Sequence, residues 1–383
     1  MSESEDKPLV VIRSLVYNHE PYLRDCLEGF VMQQTTFPFV AVVHDDCSTD
    51  GSAAILREYA EKYPHIIKPI YETENLYSRH DGSVRRVVNA ACAEYGAKYH
   101  ALCEGDDYWT DPHKLQKQVD FMEAHPDYSM VSCNAEVLHG TQRLVTHEDH
   151  VKAGWPHCDE ERDLPTGEII KTFGRQAQTA GLMVRSSVYE TLVQHPVVCR
   201  NGDVMLQLTA AHTGKVHHMR DVMCVYRFMT PGSWNDRTSH YTAEQAFKRH
   251  HLLLQALAYF DEWSGGEHHK DYQWARITHI VHMMNVTPAA RELFLENYRD
   301  DLLLKNAGKW LEVPTGLVAA LRKLCMHPYY PFPYTACLRN AFGRMFCRAS
   351  MNRETYHIGP LDLVSVVSDT PKSRVYVLGK RVK

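Results

Sequence analysis

Glu104, Asp106 and Asp107 fall within four residues, directly after the apolar run Tyr99, Ala101, Leu102 and Cys103 in "YHALCEGDDYWTD". Carboxylates this close repel one another by an amount that matters outside bulk water. The crowding becomes favourable when a divalent cation sits between them and an anionic ligand. Mg2+ and Mn2+ favour oxygen ligands and commonly keep one or two carboxylates plus substrate phosphates. A diphosphate leaving group gains most, because the metal neutralises charge as the bond breaks. Asp106 and Asp107 could instead cap the next helix, although Asp111 in "TDPHK" already stands where a cap is needed.

A second acidic pair, Asp45 and Asp46, ends the apolar run "FVAVVH" and could accept the N–H of a pyrimidine such as uracil. Tyr17, in "SLVYNHEPY", is an aromatic suited either to stacking on a base or to the core. Asp203, in "NGDVMLQL", stands at the start of a helical pattern. A hydroxyl is a poor nucleophile at neutral pH, and a carboxylate placed there could take its proton. An aspartate at that position also supports its own helix through capping and the dipole.

These residues need a frame, and the first 137 residues supply one. Short β-branched runs at "LVVIRSLV", "FVAVVH", "IIKPIY", "YHALC" and "SMVSCNAEV" alternate with helical patterns. One such pattern puts Leu23, Cys26, Leu27, Phe30 and Val31 on a single face. Alternation of this kind predicts an α/β fold with a mainly parallel sheet covered by helices. Strand-to-helix connections then lie at the carboxyl edge, where ligands bind. Both acidic clusters fall on that edge. The chain contains neither GxGxxG nor GxxxxGK[ST], so dinucleotide-fingerprint and P-loop chemistry lack their glycine loops.

Bulk composition narrows the classes. Length of 383 residues implies two or three structural units. A net charge of −5 argues against a nucleic-acid partner. Eleven cysteines without a CxxC, set singly in apolar segments, suggest reduced thiols in a cytoplasmic protein. The N-terminal "MSESEDKPLVV" lacks the features of a signal peptide, and no stretch has the length and apolarity of a membrane span.

Taken together, "YNHEPYL", "DDCSTDG" and "EGDDYW", in that order and spacing, resemble family 2 glycosyltransferases of the GT-A fold over roughly residues 8–235. The resemblance implies a nucleotide-sugar donor, a divalent cation (Mn2+ or Mg2+) and inversion at the anomeric carbon by direct displacement. It implies that Tyr17 and Asp46 hold the base with Asp45 beside them, and that Asp106 and Asp107 form the metal and ribose motif with Asp107 as chief metal ligand and Glu104 alongside. It nominates Asp203 as catalytic base. Tyr226, Arg227 and "PGSW" resemble a later segment near the donor phosphates, with Arg227 as phosphate partner and Arg79, Arg85 and Arg86 as competitors. Cys47 stands where relatives often carry glycine or asparagine.

The expected organisation is a nucleotide-sugar-binding half over 1–137, an acceptor-side half carrying the base over 138–240, and a helical region over 241–383. In the last, "HPYYPFPYTACLRNAFGRMFCRAS" could form an amphipathic helix against an anionic membrane surface, near a lipid-linked or other glycan acceptor, or simply dock on its own protein. The competing readings are a noncatalytic nucleotide-sugar or glycan-binding protein and a sugar nucleotidyltransferase. The latter usually carries a Gly-rich basic loop after strand one, and "SLVYNHEP" is neither.

Overall fold

The computed structural model describes residues 7–140, 142–145, 160–174, 177–195, 202–286 and 291–298, and strand segments between 346 and 381. Four parallel strands start the fold: β1 (Val10–Val16), β2 (Phe39–Asp45), β3 (Ile67–Tyr71) and β4 (Tyr99–Leu102). Three helices cross between them, α1 (Leu23–Val31), α2 (Ser52–Lys62) and α3 (Ser83–Glu94). After β4 come β5 (Tyr108–Trp109), α4 (Lys114–Ala124), β6 (Tyr128–His139), β7 (Gln142–Leu144) and β8 (Arg162–Asp163). Then follow β9 (Met183–Arg185), the helix Gly202–Thr213 and β10 (Lys215–Phe228). The main path of the sheet runs β3-β2-β1-β4-β9-β6-β10-β5.

The mainly parallel expectation holds with two reversals on that path. β9 runs antiparallel between β4 and β6, and β5 antiparallel beside β10. Neither reversed strand exceeds three residues, too short to show a period.

Alternation along the strands divides the core into two layers. Val10, Ile12, Ala41 and Val43 pack with the buried face of α1, where Leu23, Cys26, Leu27 and Phe30 recur at helical spacing. Val11, Val40 and Val42 pack with Val88 and Cys92 of α3. Each fully buried Leu or Phe here favours folding by about 1.5–3 kcal/mol relative to exposure. Beneath the acidic turn, Trp109 is buried, meets Phe30 edge-on at 5.1 Å between ring centroids, and donates its indole N–H to Ala180 C=O at 2.8 Å. The Lys114 ammonium lies 4.3 Å from the centre of that ring and donates to Gln118 Oε1 at 2.7 Å, and burial pushes its pKa down. Gln33 knits α1 to α4 by donating to Gly29 C=O and Asp111 C=O and accepting from Leu115 N–H.

The chain divides into two compact units. One comprises Met1–Val151, Pro156–Tyr241 and Leu252–Tyr272 and holds the large sheet. Strand β6 extends through residue 137, so the expected first and second halves share one sheet. The other unit comprises Lys152–Trp155, Thr242–His251 and Gln273–Lys383. The expected all-helical region 241–383 needs correction. Helices occupy Ala243–Trp263, His269–Val286 and Arg291–Tyr298. Five antiparallel strands follow, β11 (Phe346–Ser350), β12 (Arg353–Ile358), β13 (Leu361–Val367), β14 (Arg374–Val377) and β15 (Lys380–Arg381), paired in sequence order. The period-two apolar pattern of "LDLVSVV" and "RVYV" favours strand over helix. Most of the expected amphipathic helix lies outside the described residues, and its end, Phe346–Ser350, is a strand.

Two predictions follow from the packing. A Cβ on Gly29 would lie 2.9 Å from Trp109 N and 3.2 Å from Trp109 O, both backbone atoms. Gly29→Ala therefore lowers unfolding free energy by about 1–3 kcal/mol in urea denaturation. His100 is buried with Nδ1 unpartnered among the described residues, and burial drives its pKa down to about 3. Below its unfolded pKa of about 6.5, the unfolded chain gains a proton that the folded chain refuses. Stability contributed by neutral His100 is complete above that value and falls as pH drops toward 3, by up to about 1.4 kcal/mol per pH unit. Urea titrations between pH 6 and 4 on His100→Gln will show a slope shallower by nearly one proton.

Candidate active site

The carboxyl ends of β1, β2 and β3 align in register, Val16 opposite Asp45 and Asp45 opposite Tyr71. The loops after β1 and β2 are zipped together. Asn18 N–H donates to Ser48 Oγ and His19 N–H to Ser52 Oγ, both at 2.9 Å. Glu20 Oε2 accepts from Gly51 N–H at 2.7 Å, and Asn18 Oδ1 from Thr49 N–H at 2.8 Å. Cys47 has φ +61, which explains why glycine or asparagine suits this position. Tyr17 lies half-buried at the root of the first loop.

The two aspartates at the end of β2 differ sharply in what holds them. Asp46 is buried, and its carboxylate accepts Leu76 N–H at 2.8 Å and Tyr77 N–H at 2.9 Å, anchoring the loop after β3. Asp45 is 3% exposed, with Oδ2 accepting Ser48 N–H at 3.4 Å and Oδ1 having no hydrogen-bond partner among the described residues. An unpartnered buried carboxylate oxygen is costly. It suits a ligand N–H.

The acidic turn stands one strand away, after β4. Asp107 N–H donates to Glu104 C=O at 3.0 Å, and Gly105 N–H to Leu15 C=O at 2.9 Å. A Cβ on Gly105 would meet His19 Nδ1 at 2.7 Å and Val16 Cγ2 at 2.9 Å, so the turn needs glycine to lie this close to β1. Burial, then Asp106 and Asp203, push the Glu104 carboxyl up to about 8, against the Leu15 N–H and Arg13. Burial and then Asp106 raise Asp107 well above the ordinary carboxylate range, with Arg227 N–H opposing. Asp107 is 2% exposed and accepts that N–H on Oδ1 at 2.8 Å, whereas Asp106 is only half-buried. Neither caps α4, because Asp111 Oδ1 takes the His113 N–H at 2.8 Å just before that helix begins.

Asp203, exposed at the start of the helix Gly202–Thr213, lies within electrostatic reach of Glu104 and of Tyr226. The fold thus gathers the base candidate with the acidic turn across about 100 residues of chain. Arg227 is buried, its guanidinium 4.4 Å from the Tyr108 ring centre and 5.2 Å from that of Tyr22. It donates to Asp106 C=O at 2.8 Å and pairs with Asp25 of α1. Arg79 pairs with Glu74, and Arg86 donates to Asp81 C=O and Ser83 Oγ. Asp25 and His19 were not singled out from sequence. Asp25 reads there as an ordinary acidic residue in a first helical turn.

Among the described residues no three His, Cys, Asp or Glu side chains form a ready metal cage. The donor set still fits Mg2+ or Mn2+, which need only one or two carboxylates when phosphate oxygens and waters complete the shell. Asp106 and Asp107 present hard oxygen donors, and their repulsion is what a cation relieves.

An uncharacterized protein of Mycobacterium tuberculosis is 29% identical over 312 residues, covering 79% of this chain and 84% of the relative. EpsE of Bacillus subtilis, carried under a provisional glycosyltransferase name, is 31% identical over 187 residues, 48% of this chain and 59% of that protein. The crystal structure of S. aureus TarS in complex with UDP-GlcNAc superposes with a TM-score of 0.54 at 16% identity, over 73% of this chain and 75% of that one. That likeness shows the fold, which is GT-A. Residues 14–180 match the family model for Glycosyl transferase family 2, and this span contains the acidic turn, the Asp45–Asp46 pair and β1 to β6. The chain carries a family 2 glycosyltransferase domain.

Proposed function

We propose that this protein transfers a sugar from a UDP-sugar to a hydroxyl of a glycan or lipid-linked acceptor, with inversion and with a divalent cation bound. The observation that carries this reading is the open Oδ1 of buried Asp45 on the same sheet edge as the acidic turn. Uracil offers one ring N–H, matching one open oxygen. Guanine would present two adjacent donors to a carboxylate whose other oxygen already takes Ser48 N–H. A UDP-GlcNAc complex on the same fold is consistent with that choice.

In this reading Tyr17 stacks on the base and Asp45 accepts its N–H, while Asp46 holds the loop after β3 in place beside them. Asp106 and Asp107 would hold the cation, with Glu104 as their neighbour, and a cation held there would offset the charge of a departing diphosphate. Asp203 takes the acceptor hydroxyl proton as the oxygen attacks the anomeric carbon. It is exposed, in the first turn of its helix. Arg227 supports the acidic turn through the Asp106 carbonyl and the Asp107 carboxylate. Among the described residues no helix is long and apolar enough to cross a membrane.

Calorimetric titration with UDP, GDP as control, and Mn2+ tests the donor reading. UDP binds and GDP does not, binding depends on Mn2+, and Asp45→Ala abolishes it; binding of neither nucleotide would overturn the proposal. Asp46→Ala strands two backbone N–H groups and lowers unfolding free energy by about 1–3 kcal/mol. For the base, Asp203→Asn slows UDP release from a UDP-sugar by about 10²–10⁴-fold with UDP affinity unchanged. Equal rates in both proteins would remove Asp203 from the chemistry.

A further inference from the structure

Arg227 is a cation packed directly against the acidic turn, yet its guanidinium does not pair with the carboxylates there. Its guanidinium donates to the Asp106 backbone carbonyl at 2.8 Å rather than to either carboxylate, and its second arm is taken by Asp25. Tyr22 and Tyr108 lie by the guanidinium. Its backbone N–H separately holds Asp107 Oδ1 at 2.8 Å. One residue of β10 therefore grips the turn twice, and a half-exposed carboxylate of α1 fixes the direction in which its charge points.

We infer that Asp25 is a positioning residue: it holds the Arg227 guanidinium on the Asp106 carbonyl and away from the Asp106 and Asp107 carboxylates, leaving their charge available to a divalent cation. The claim about the cation rests on the donor-site reading above; the tie itself does not. A guanidinium released from Asp25 has a carboxylate within one residue of its present partner. Arg pairs with carboxylates strongly when both are partly desolvated. Occupying Asp106 in that way removes a ligand and distorts the turn. Support of this indirect kind is worth about 10–100-fold in metal affinity where it has been disrupted in other metal sites.

Asp25 is solvent-accessible, so its substitution spares the core. In hydrogen exchange on the ligand-free protein, Asp25→Asn speeds exchange of the amides of residues 104–109 by about tenfold while β1 and β2 stay unchanged. Asp25→Glu restores native exchange, and Arg227→Lys, which keeps the charge but loses the second arm, behaves like Asp25→Asn. Free Mn2+ measured by electron paramagnetic resonance in the presence of UDP then shows affinity about tenfold weaker in Asp25→Asn and recovered in Asp25→Glu. Unchanged exchange at 104–109 overturns the tie. Faster exchange with unaltered Mn2+ affinity reduces Asp25 to a structural pin and overturns its role toward the cation. Native protein that binds neither UDP nor Mn2+ rejects the donor site and that role with it, while the exchange arm still decides the tie.

Discussion

Three carboxylates at the end of a buried strand cannot stay together unless something holds them against their mutual repulsion. Much of the surrounding structure does that task. Gly105 brings the turn against β1 through the Leu15 carbonyl, Arg227 grips it from β10, and Trp109 packs below it against α1. The restraint is asymmetric in charge. The Arg227 guanidinium at the turn is spent on a backbone carbonyl and on Asp25, not on the carboxyl groups of the turn, and burial leaves Glu104 and Asp107 raised above the ordinary carboxylate range. Groups perturbed in this way cluster at functional sites.

The two acidic clusters show how neighbouring residues of one type divide their labour. Asp46 is consumed by two N–H groups, so it anchors the loop after β3. Asp45, one residue earlier, keeps an oxygen open. Likewise Asp107 is buried and tied to β10, whereas Asp106 remains half-exposed. In each pair one carboxylate builds and the other is available.

The βα alternation of the first 137 residues and the placement of both clusters on one edge were legible in the sequence, because strand and helix periods depend only on local spacing. The helix carrying Asp203 was legible from its start and from Gly214 beyond its end. Three features were not. The run "TAGLMVR" reads as a strand and holds β9, but its antiparallel direction between β4 and β6 cannot be read from spacing. The link from Asp25 to Arg227 spans 202 positions and leaves no local trace. The contrast between Asp45 and Asp46 depends on which backbone N–H groups the loop after β3 delivers, a matter of tertiary geometry. The strands from Phe346 onward had a visible alternation, but it was outweighed by the helical segments before them.

The reversed strand β9 also orders the protein in time. It is the bridge between β4 on one side and β6 on the other, and among the described residues no other strand pairs with both. A growing chain can assemble β1 to β4 with their helices as soon as those residues are made. Strand β6, although synthesised before β9, has no seat near β4 until Met183–Arg185 arrives to lie between them. The sheet therefore closes through a contact distant in sequence, a slow kind of step in folding. Until then β4 keeps an unpaired edge, an opening for misassociation that a chain truncated before residue 183 would carry permanently.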